Sequence, residues 1–177
     1  ILGGSKISSK IKIITNLMTK VDNLIIGGGM DFTFQKAMGG KIGKSLCEDD
    51  MVPIAKEILE KAEQSRVNIY CTIDRVAADK FRNDARRAIY PAKNIPDDME
   101  GMDIGPQTCN LYREVILKSA TILWNGPMGV FEMDNFSTGT FMIADAVARA
   151  TELGAFTLVG GGDPVSAINK YHLMDRY

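Results

Sequence analysis

Short apolar runs alternate with longer segments of helical period along the 177 residues of this chain. The short runs are rich in β-branched or aromatic residues and are bounded by glycine or charged residues, as buried parallel strands tend to be. They predict strands at residues 24–26, 67–71, 120–124 and 155–159, and the apolar pair Ile1-Leu2 predicts the end of another. Between them, apolar residues recur at helical spacing in residues 7–21, 54–62 and 135–151, which predicts amphipathic helices.

The order strand, helix, strand, helix predicts an α/β fold with an open, mostly parallel, Rossmann-like sheet. Crossover connections place helices on both faces of such a sheet, in three α/β/α layers. Residues 84–107 are less periodic and contain Pro91, Pro96 and Pro106. We therefore expect a long irregular connection there.

Composition narrows the class of protein. With 45% hydrophobic and 24% charged residues the chain is average for a globular domain, and its length fits one domain over residues 1–177. The net charge of −1 argues against nucleic-acid binding, and no apolar run is long enough to span a membrane. The three cysteines match no metal-ligand spacing and predict reduced thiols. We expect a cytoplasmic monomer.

Glycines are bunched where the predicted strands end. Gly3-Gly4, residues 27–29 and residues 160–162 follow three strands, and a turn at residues 125–129 follows a fourth. Ligands of open α/β sheets bind outside the carboxyl ends of the strands, where glycine lets the backbone come close. Four runs at one edge therefore predict a phosphate or nucleotide cleft. They spell neither a Walker loop nor the G-x-G-x-x-G fingerprint.

Charged residues beside these turns are candidates for the same cleft. Lys6 and Lys10 are either solvated surface lysines or a clamp for a polyphosphate at the start of the first helix. Asp163 precedes Pro164, so it is a candidate N-cap of the next helix, and equally a candidate ligand of Mg²⁺ beside phosphates. Glu132 is a candidate acceptor for ribose hydroxyls.

Taken together, these motifs resemble the phosphoglycerate kinase family over essentially the whole chain. The most specific are the nine residues 124–132, Trp-Asn-Gly-Pro-Met-Gly-Val-Phe-Glu, and Gly160-Gly161-Gly162-Asp163. Shorter matches occur in family order at residues 2–7, 25–30, 42–46 and 103–106. The resemblance implies the nucleotide-binding, carboxyl-terminal type of domain.

The implied reaction is reversible phosphoryl transfer between 1,3-bisphosphoglycerate with Mg-ADP and 3-phosphoglycerate with Mg-ATP, a step of glycolysis. By the resemblance, Lys6 stabilises the phosphoryl group during its transfer, and Lys10 contacts the nucleotide phosphates. The adenine pocket would comprise Gly4, Gly28, Gly29, Gly101 and Met102. Asn125 and Pro127 would flank the phosphates and ribose, and Glu132 would hold the ribose. The phosphates and Mg²⁺ would lie at Gly161, Gly162, Asp163 and the adjoining Pro164, with Asp163 as the metal ligand.

The chain departs from the family pattern in several places. Pro164 stands where Ser or Thr is usual, and Asp31 adds a negative charge beside a glycine run. The chain opens on an apolar run without a starter methionine, which predicts a piece of a longer protein. The resemblance implies that the family's amino-terminal domain, which binds phosphoglycerate, and a final glycine-rich segment lie outside it. We therefore expect a domain incomplete at both ends that binds nucleotide without turnover. A non-catalytic nucleotide-binding or interaction module remains the alternative, and a dehydrogenase is a weaker one.

Overall fold

The structure is a computed structural model that describes residues 1–171 and 173–177. The α-helices are α1 (Ile11–Leu17), α2 (Met30–Ala37), α3 (Val52–Gln64), α4 (Pro106–Leu117), α5 (Thr138–Glu152) and α6 (Gly162–Lys170). The strands are β1 (Asn23–Ile25), β2 (Lys41–Ile42), β3 (Asn68–Tyr70), β4 (Asp74–Ala78), β5 (Arg87–Pro91), β6 (Asn94–Ile95), β7 (Glu100–Ile104), β8 (Thr121–Asn125) and β9 (Phe156–Gly160). Short 3₁₀ helices occupy Asp49–Met51, Asp134–Phe136 and Met174–Arg176.

The centre of the molecule is a parallel sheet. Strand β1 pairs with β3, and β8 pairs with β9. Leu2 joins the two pairs, because its backbone bridges Ile26 on one side and Asn125 on the other. The order across the sheet is therefore β3, β1, the Leu2 segment, β8 and β9. The strands predicted at residues 24–26, 67–71, 120–124 and 155–159 are confirmed to within one residue at each end, and Leu2 contributes isolated bridges rather than a full strand.

Alternate residues of the sheet face two separate cores. Leu24 and Ile26 pack with the first group of helices, and Ile25 between them packs with the second. Period-two alternation explains this, since successive side chains of a strand point to opposite faces. The first core takes its helical residues from α1, α2 and α3, including Ile14, Phe34 and Ile58; the second takes them from α4, α5 and α6, including Tyr112, Ile143 and Ile168. The prediction of a three-layer α/β fold is confirmed.

The prediction of an irregular connection over residues 84–107 is wrong. Strands β5, β4 and β7 form an antiparallel sheet in that order, and β2 pairs with β6 in parallel. The sequence signal was weak, because β7 reads Glu-Gly-Met-Asp-Ile and most of β5 is exposed. Such strands are defined by their partners more than by their own β-propensity.

The helices also differ in extent from their predicted bounds. The helix expected at residues 7–21 is shorter, since α1 starts at Ile11 after a turn in which the Lys10 amide bonds the Ile7 carbonyl. The helices expected at residues 54–62 and 135–151 correspond to α3 and α5. Within the part of the chain that the structure describes, no helix is both long and apolar enough to cross a bilayer.

Candidate functional site

The glycine turns meet at the carboxyl edge of the central sheet. The Gly4 amide donates to the Pro127 carbonyl at 3.2 Å, and the Gly28 amide donates to the Met128 carbonyl at 3.2 Å. Three turns that are far apart in sequence are thus joined by backbone hydrogen bonds. They form the inner wall of a cavity at the edge where open α/β sheets bind ligands.

The glycines serve two different purposes. Gly28 has φ +71°, and a Cβ there would lie 2.5 Å from the Gly4 nitrogen, so it is required by the packing of the turns. Gly3 is equally restricted, with a Cβ position 2.1 Å from the Pro127 carbonyl oxygen. Gly162 differs, because a Cβ there would meet nothing within 4 Å. The inference that the runs together mark a phosphate cleft therefore rests on residues 161–162 more than on the other runs.

The cavity has a volume of about 550 Å³, within the range of small-molecule sites. It brings together most of the residues that the sequence singled out. Its lining includes Gly4, Lys10, Gly28, Gly29, Gly101, Met102, Asn125, Pro127, Gly161, Gly162, Asp163 and Pro164.

One end of the cavity is polar. The Lys10 ammonium donates a hydrogen bond to the Asn125 Oδ1. The Asn125 amide nitrogen lies beside Gly161, at 3.4 Å from where a Cβ of that residue would be. Helix α6 begins directly afterwards, and the first N–H groups of a helix have no intrahelical partner. A cation, a side-chain amide and a helix N-terminus therefore converge there, which is an arrangement that binds phosphate.

Asp163 does not cap α6. The N-cap is Gly161, no side chain bonds the first turn, and Asp163 is the second residue of the helix. Pro164 is the third residue rather than the first, and its ring is buried. The N-cap interpretation of Asp163 is therefore wrong, because the helix begins earlier than the proline signal suggested. The Asp163 carboxylate is exposed and lines the cavity.

A second group of lining residues, which we call the apolar end of the cavity, surrounds Phe32. A Cβ at Gly101 would lie 2.4 Å from Cζ of Phe32, so the ring packs directly against that glycine. Met102 and the buried Arg75 complete this end. The sequence had suggested Gly101 and Met102 here, but it missed Phe32 and Arg75, which carry no local motif.

Other residues that the sequence missed also line the cavity. Leu46 and Phe81 are large apolar side chains that line the cavity and are 52% and 59% exposed. Their exposure is the signal that could have identified them, but exposure cannot be read from the sequence pattern. Further lining residues that the sequence missed are Ser5, Ser9, Glu100 and Val130.

Two predicted site residues are not brought into the lining. Lys6 is exposed and follows Ser5, which does line the cavity. Glu132 is exposed and lies two residues beyond Val130. Their implied roles in phosphoryl transfer and ribose binding stay predictions.

The expectation that Asp31 adds negative charge to the site is wrong. Asp31 is fully buried in α2, where Oδ2 accepts from the Thr72 hydroxyl at 2.5 Å and from Arg75 Nη2 at 3.3 Å. The carboxylate is turned into the packing between α2 and β4, and the arginine compensates its charge.

Asp103 supports the turn beneath the cavity. Its carboxylate accepts from the Gly139 and Ile104 amides at 2.8 and 2.9 Å, and it leaves no room for a Cβ at Gly129. Burial raises the pKa of this carboxyl from 3.8 to about 7, and the two backbone hydrogen bonds only partly oppose that rise.

Carboxylates for a metal are few. Over residues 1–171 and 173–177 no three acidic, histidine or cysteine side chains cluster as a metal site. Asp163 and Glu100 are the acidic side chains of the lining. A metal held with one protein carboxylate and phosphate oxygens is typical of Mg²⁺, and Asp163 beside the start of α6 fits that donor set.

The fold and the cavity define an α/β protein with a ligand site at the carboxyl edge of a parallel sheet. The sequence model of the phosphoglycerate kinase family matches residues 1–177. This chain belongs to the phosphoglycerate kinase family.

Individual relatives agree with that family. The chain is 53% identical over 176 residues to the phosphoglycerate kinase of Porphyromonas gingivalis, covering 99% of this chain and 42% of that protein. It is 50% identical to that of Clostridium kluyveri, covering 99% and 44%. The solved phosphoglycerate kinase of Coxiella burnetii superposes with a TM-score of 0.95 at 42% identity, covering 99% and 44%. That of Pyrococcus horikoshii gives a TM-score of 0.78 at 28% identity, covering 96% and 42%. The chain thus spans about two fifths of the length of these relatives.

Proposed function

We propose that this chain supplies the adenine nucleotide site of a phosphoglycerate kinase. The observation that carries the proposal is the polar end of the cavity, where Lys10, Asn125 and the start of α6 converge. Phe32, Gly101 and Met102 supply an apolar part of the lining against which a nucleobase would pack. The same cavity is also lined by the glycine turns at Gly4, Gly28 and Gly126, whose backbone could approach the sugar and phosphates of a nucleotide closely.

The proposed reaction is phosphoryl transfer from 1,3-bisphosphoglycerate to ADP. A terminal oxygen of ADP bonds to the phosphorus of the acyl phosphate, and the bond from phosphorus to the carboxyl oxygen breaks. 3-Phosphoglycerate leaves with the electron pair as a carboxylate, so no proton transfer is required. Such reactions depend on positioning and on neutralisation of charge rather than on covalent catalysis.

The residues of the cavity have separate tasks in this reaction. Lys10 contacts the nucleotide phosphates, and the first amides of α6 at residues 162–163 bind their oxygens. Asp163 would hold Mg²⁺, and the ion would supply positive charge that neutralises part of the phosphate charge. Outside the lining, Lys6 would stabilise the transferring group, and Glu132 would bind the ribose. The last two assignments come from the family resemblance alone.

A matched pair of lysine variants tests the site. Calorimetry with Mg-ADP should give a Kd about 10- to 100-fold weaker for Lys10→Met, because a charged hydrogen-bond donor is lost. Lys12→Met is the control, since Lys12 is exposed on α1 and outside the lining. Absence of heat from the unaltered chain at millimolar nucleotide, or equal losses in the two variants, would overturn the site assignment.

Activity is tested separately from binding. A coupled assay with ATP and 3-phosphoglycerate should show no turnover by the 177-residue chain, since the residues that would hold 3-phosphoglycerate are proposed to belong to a further domain. Clear turnover would contradict the proposal that 3-phosphoglycerate is bound by a further domain, but it would not contradict the proposed nucleotide site. A cytoplasmic, monomeric protein is part of the same proposal, and sedimentation analysis measures the oligomeric state.

A non-catalytic nucleotide-binding or interaction module is the second candidate. Pro164 favours it, because a proline at the third residue of α6 offers no N–H to a phosphate. Pro164→Ser restores an amide and a hydroxyl. A nucleotide site gains affinity modestly or keeps it, whereas a pure interaction module binds no Mg-ADP before or after the change.

A further inference from the structure

Behind the apolar end of the cavity lies a buried ion pair that the proposed reaction does not use. Arg75 of β4 and Asp31 of α2 meet at 3.3 Å, and their side chains are 1% and 0% exposed. Asp31 is held from a second side by Thr72, whose amide and hydroxyl donate to its carboxylate at 3.1 and 2.5 Å. The arginine therefore has a fixed anchor.

The guanidinium contacts two parts of the cavity wall. Its Nη2 donates to the Gly28 carbonyl at 2.6 Å. Its central carbon lies 4.1 Å from the centroid of the Phe32 ring, a cation–π contact. Phe32 is in turn packed against Gly101. One side chain thus contacts the Gly28 carbonyl and the Phe32 ring, and both of these residues line the site.

Stability alone does not account for this arrangement. A buried ion pair often adds little compared with apolar residues of similar volume, because removing two charges from water is costly. Arg75 also leaves its Nε without a hydrogen-bond partner among the described residues. The planar guanidinium does supply a fixed, directional contact to both groups, which an aliphatic side chain cannot.

We propose that Arg75, oriented by Asp31, is a positioning residue for the base-binding wall formed by Gly28, Phe32 and Gly101. The proposal rests on the proposed nucleotide site and specifies how its base end is held. Arg75 makes no hydrogen bond to Lys10, to Asn125 or to the first residues of α6 among the described residues, so its direct effect is expected at the base end.

The test replaces the pair as a unit. Arg75→Met alone would leave a buried carboxylate without its cation, so Asp31→Asn/Arg75→Met is the principal variant. Arg113→Met is the control, since Arg113 on α4 also bonds an aspartate, Asp145, at 3.2 Å, but lies outside the cavity. Calorimetry with adenosine, with Mg-ADP and with magnesium pyrophosphate separates the two ends of the site.

Adenosine and Mg-ADP should bind the double variant about tenfold more weakly, because the charged hydrogen bond that fixes the wall is gone. The affinity of the double variant for magnesium pyrophosphate should stay within about twofold of that of the unaltered chain. A change of that size is too small to indicate a lost contact. Hydrogen exchange of the Gly28 and Met30 amides in the ligand-free protein should accelerate, since their bonds to the Met128 and Gly4 carbonyls hold the same turn.

Two results overturn the proposal alone: adenosine affinity equal to that of the unaltered chain, or a loss of pyrophosphate affinity as large as the loss for adenosine. If the unaltered chain binds neither adenosine nor Mg-ADP, the proposed function fails and this inference fails with it. Arg113→Met should match the unaltered chain with all three ligands. A loss of adenosine affinity in that control would show a global effect and would also contradict the proposal.

Discussion

At the residue scale, the glycines of the cavity separate packing from ligand binding. Gly28 has positive φ, and backbone atoms of the neighbouring turn occupy the space of a Cβ. Gly162 begins α6 with open space where a Cβ would lie. Identical residues in similar runs therefore respond differently to the same substitution.

Gly162→Ala should leave the free energy of unfolding unchanged or raise it by about 0.5–1 kcal/mol, since alanine favours a helix. The added methyl group would stand beside the proposed phosphate position, so Mg-ADP affinity should fall. Gly28→Ala should instead lower the unfolding free energy, because the methyl group meets the Gly4 backbone. Urea titration and calorimetry measure the two quantities, and a Gly162 variant that binds normally would contradict the proposed contact.

Asp103 predicts a pH-dependent contribution to stability. Its pKa is raised from 3.8 to about 7 in the folded protein, so between these values the folded state retains a proton that the unfolded state has lost. The contribution of Asp103 to the unfolding free energy is most favourable below about pH 4, where the carboxyl is protonated in both states. It becomes less favourable as pH rises to about 7, because the unfolded state releases the proton first.

The neutral variant Asp103→Asn lacks this titration. Relative to the unaltered chain, its unfolding free energy should gain on the order of a few kcal/mol between about pH 4.5 and pH 8. Urea unfolding of both proteins across that pH range measures the difference between their unfolding free energies. Carboxyls with a lowered pKa, such as Glu48 and Glu152, are present in both proteins, so their contributions cancel in this difference. If the unfolding free energies of the two proteins changed with pH in parallel, the raised pKa of Asp103 would be contradicted.

At the element scale, the start of α4 depends on a residue from another element. Asp74 of β4 accepts hydrogen bonds from the Gln107 and Thr108 amides at 3.0 and 2.9 Å and from the Thr108 hydroxyl at 2.7 Å. Gly105 precedes the helix without capping it, and a Cβ there would collide with the Asp74 carboxylate. The antiparallel sheet and α4 are thereby linked.

Asp74→Ala should lower the free energy of unfolding by about 2–3 kcal/mol, because buried helix amides lose a charged acceptor. For a domain of this size, that corresponds to a Tm lower by roughly 4–12 °C. Asp50→Ala is the control, since Asp50 is exposed in a 3₁₀ helix. Equal melting temperatures for both variants would show that the cap contributes nothing.

At the scale of the whole molecule, nucleotide binding and folding should be linked. The cavity is lined by residues from both ends of the chain, from Gly4 to Pro164. A ligand that contacts them all binds only the folded state and stabilises it by mass action.

Mg-ADP at about 100-fold over its Kd should add about 2.7 kcal/mol to the unfolding free energy. The Tm should rise by roughly 5–10 °C in a thermal scan. Excess chelator should reduce the Tm shift if Asp163 holds Mg²⁺ beside the phosphates as proposed. A larger shift with NAD than with ADP would instead favour the dehydrogenase alternative.

The parallel sheet could be predicted from the sequence because its strands are continuous apolar runs. Residues 120–124 and 155–159 correspond to β8 and β9 for that reason. The antiparallel sheet could not, because β4 contains buried Asp74 and Arg75, and their burial depends on partners in α4 and α2. Most of the lining was found through local motifs, whereas Phe32 and Arg75 lie there only because β4 packs near α2.

The sequence by itself determined the α/β class, the strand-end glycines and the motifs that the family shares, since all of these are encoded over short stretches. The tertiary structure decided which glycines are needed for packing, that Lys10 rather than Lys6 lines the cavity, and that Asp31 is neutralised within the core. These outcomes depend on contacts between residues far apart in the chain. Local pattern cannot specify them, because the energy of each contact depends on a partner that only folding brings near.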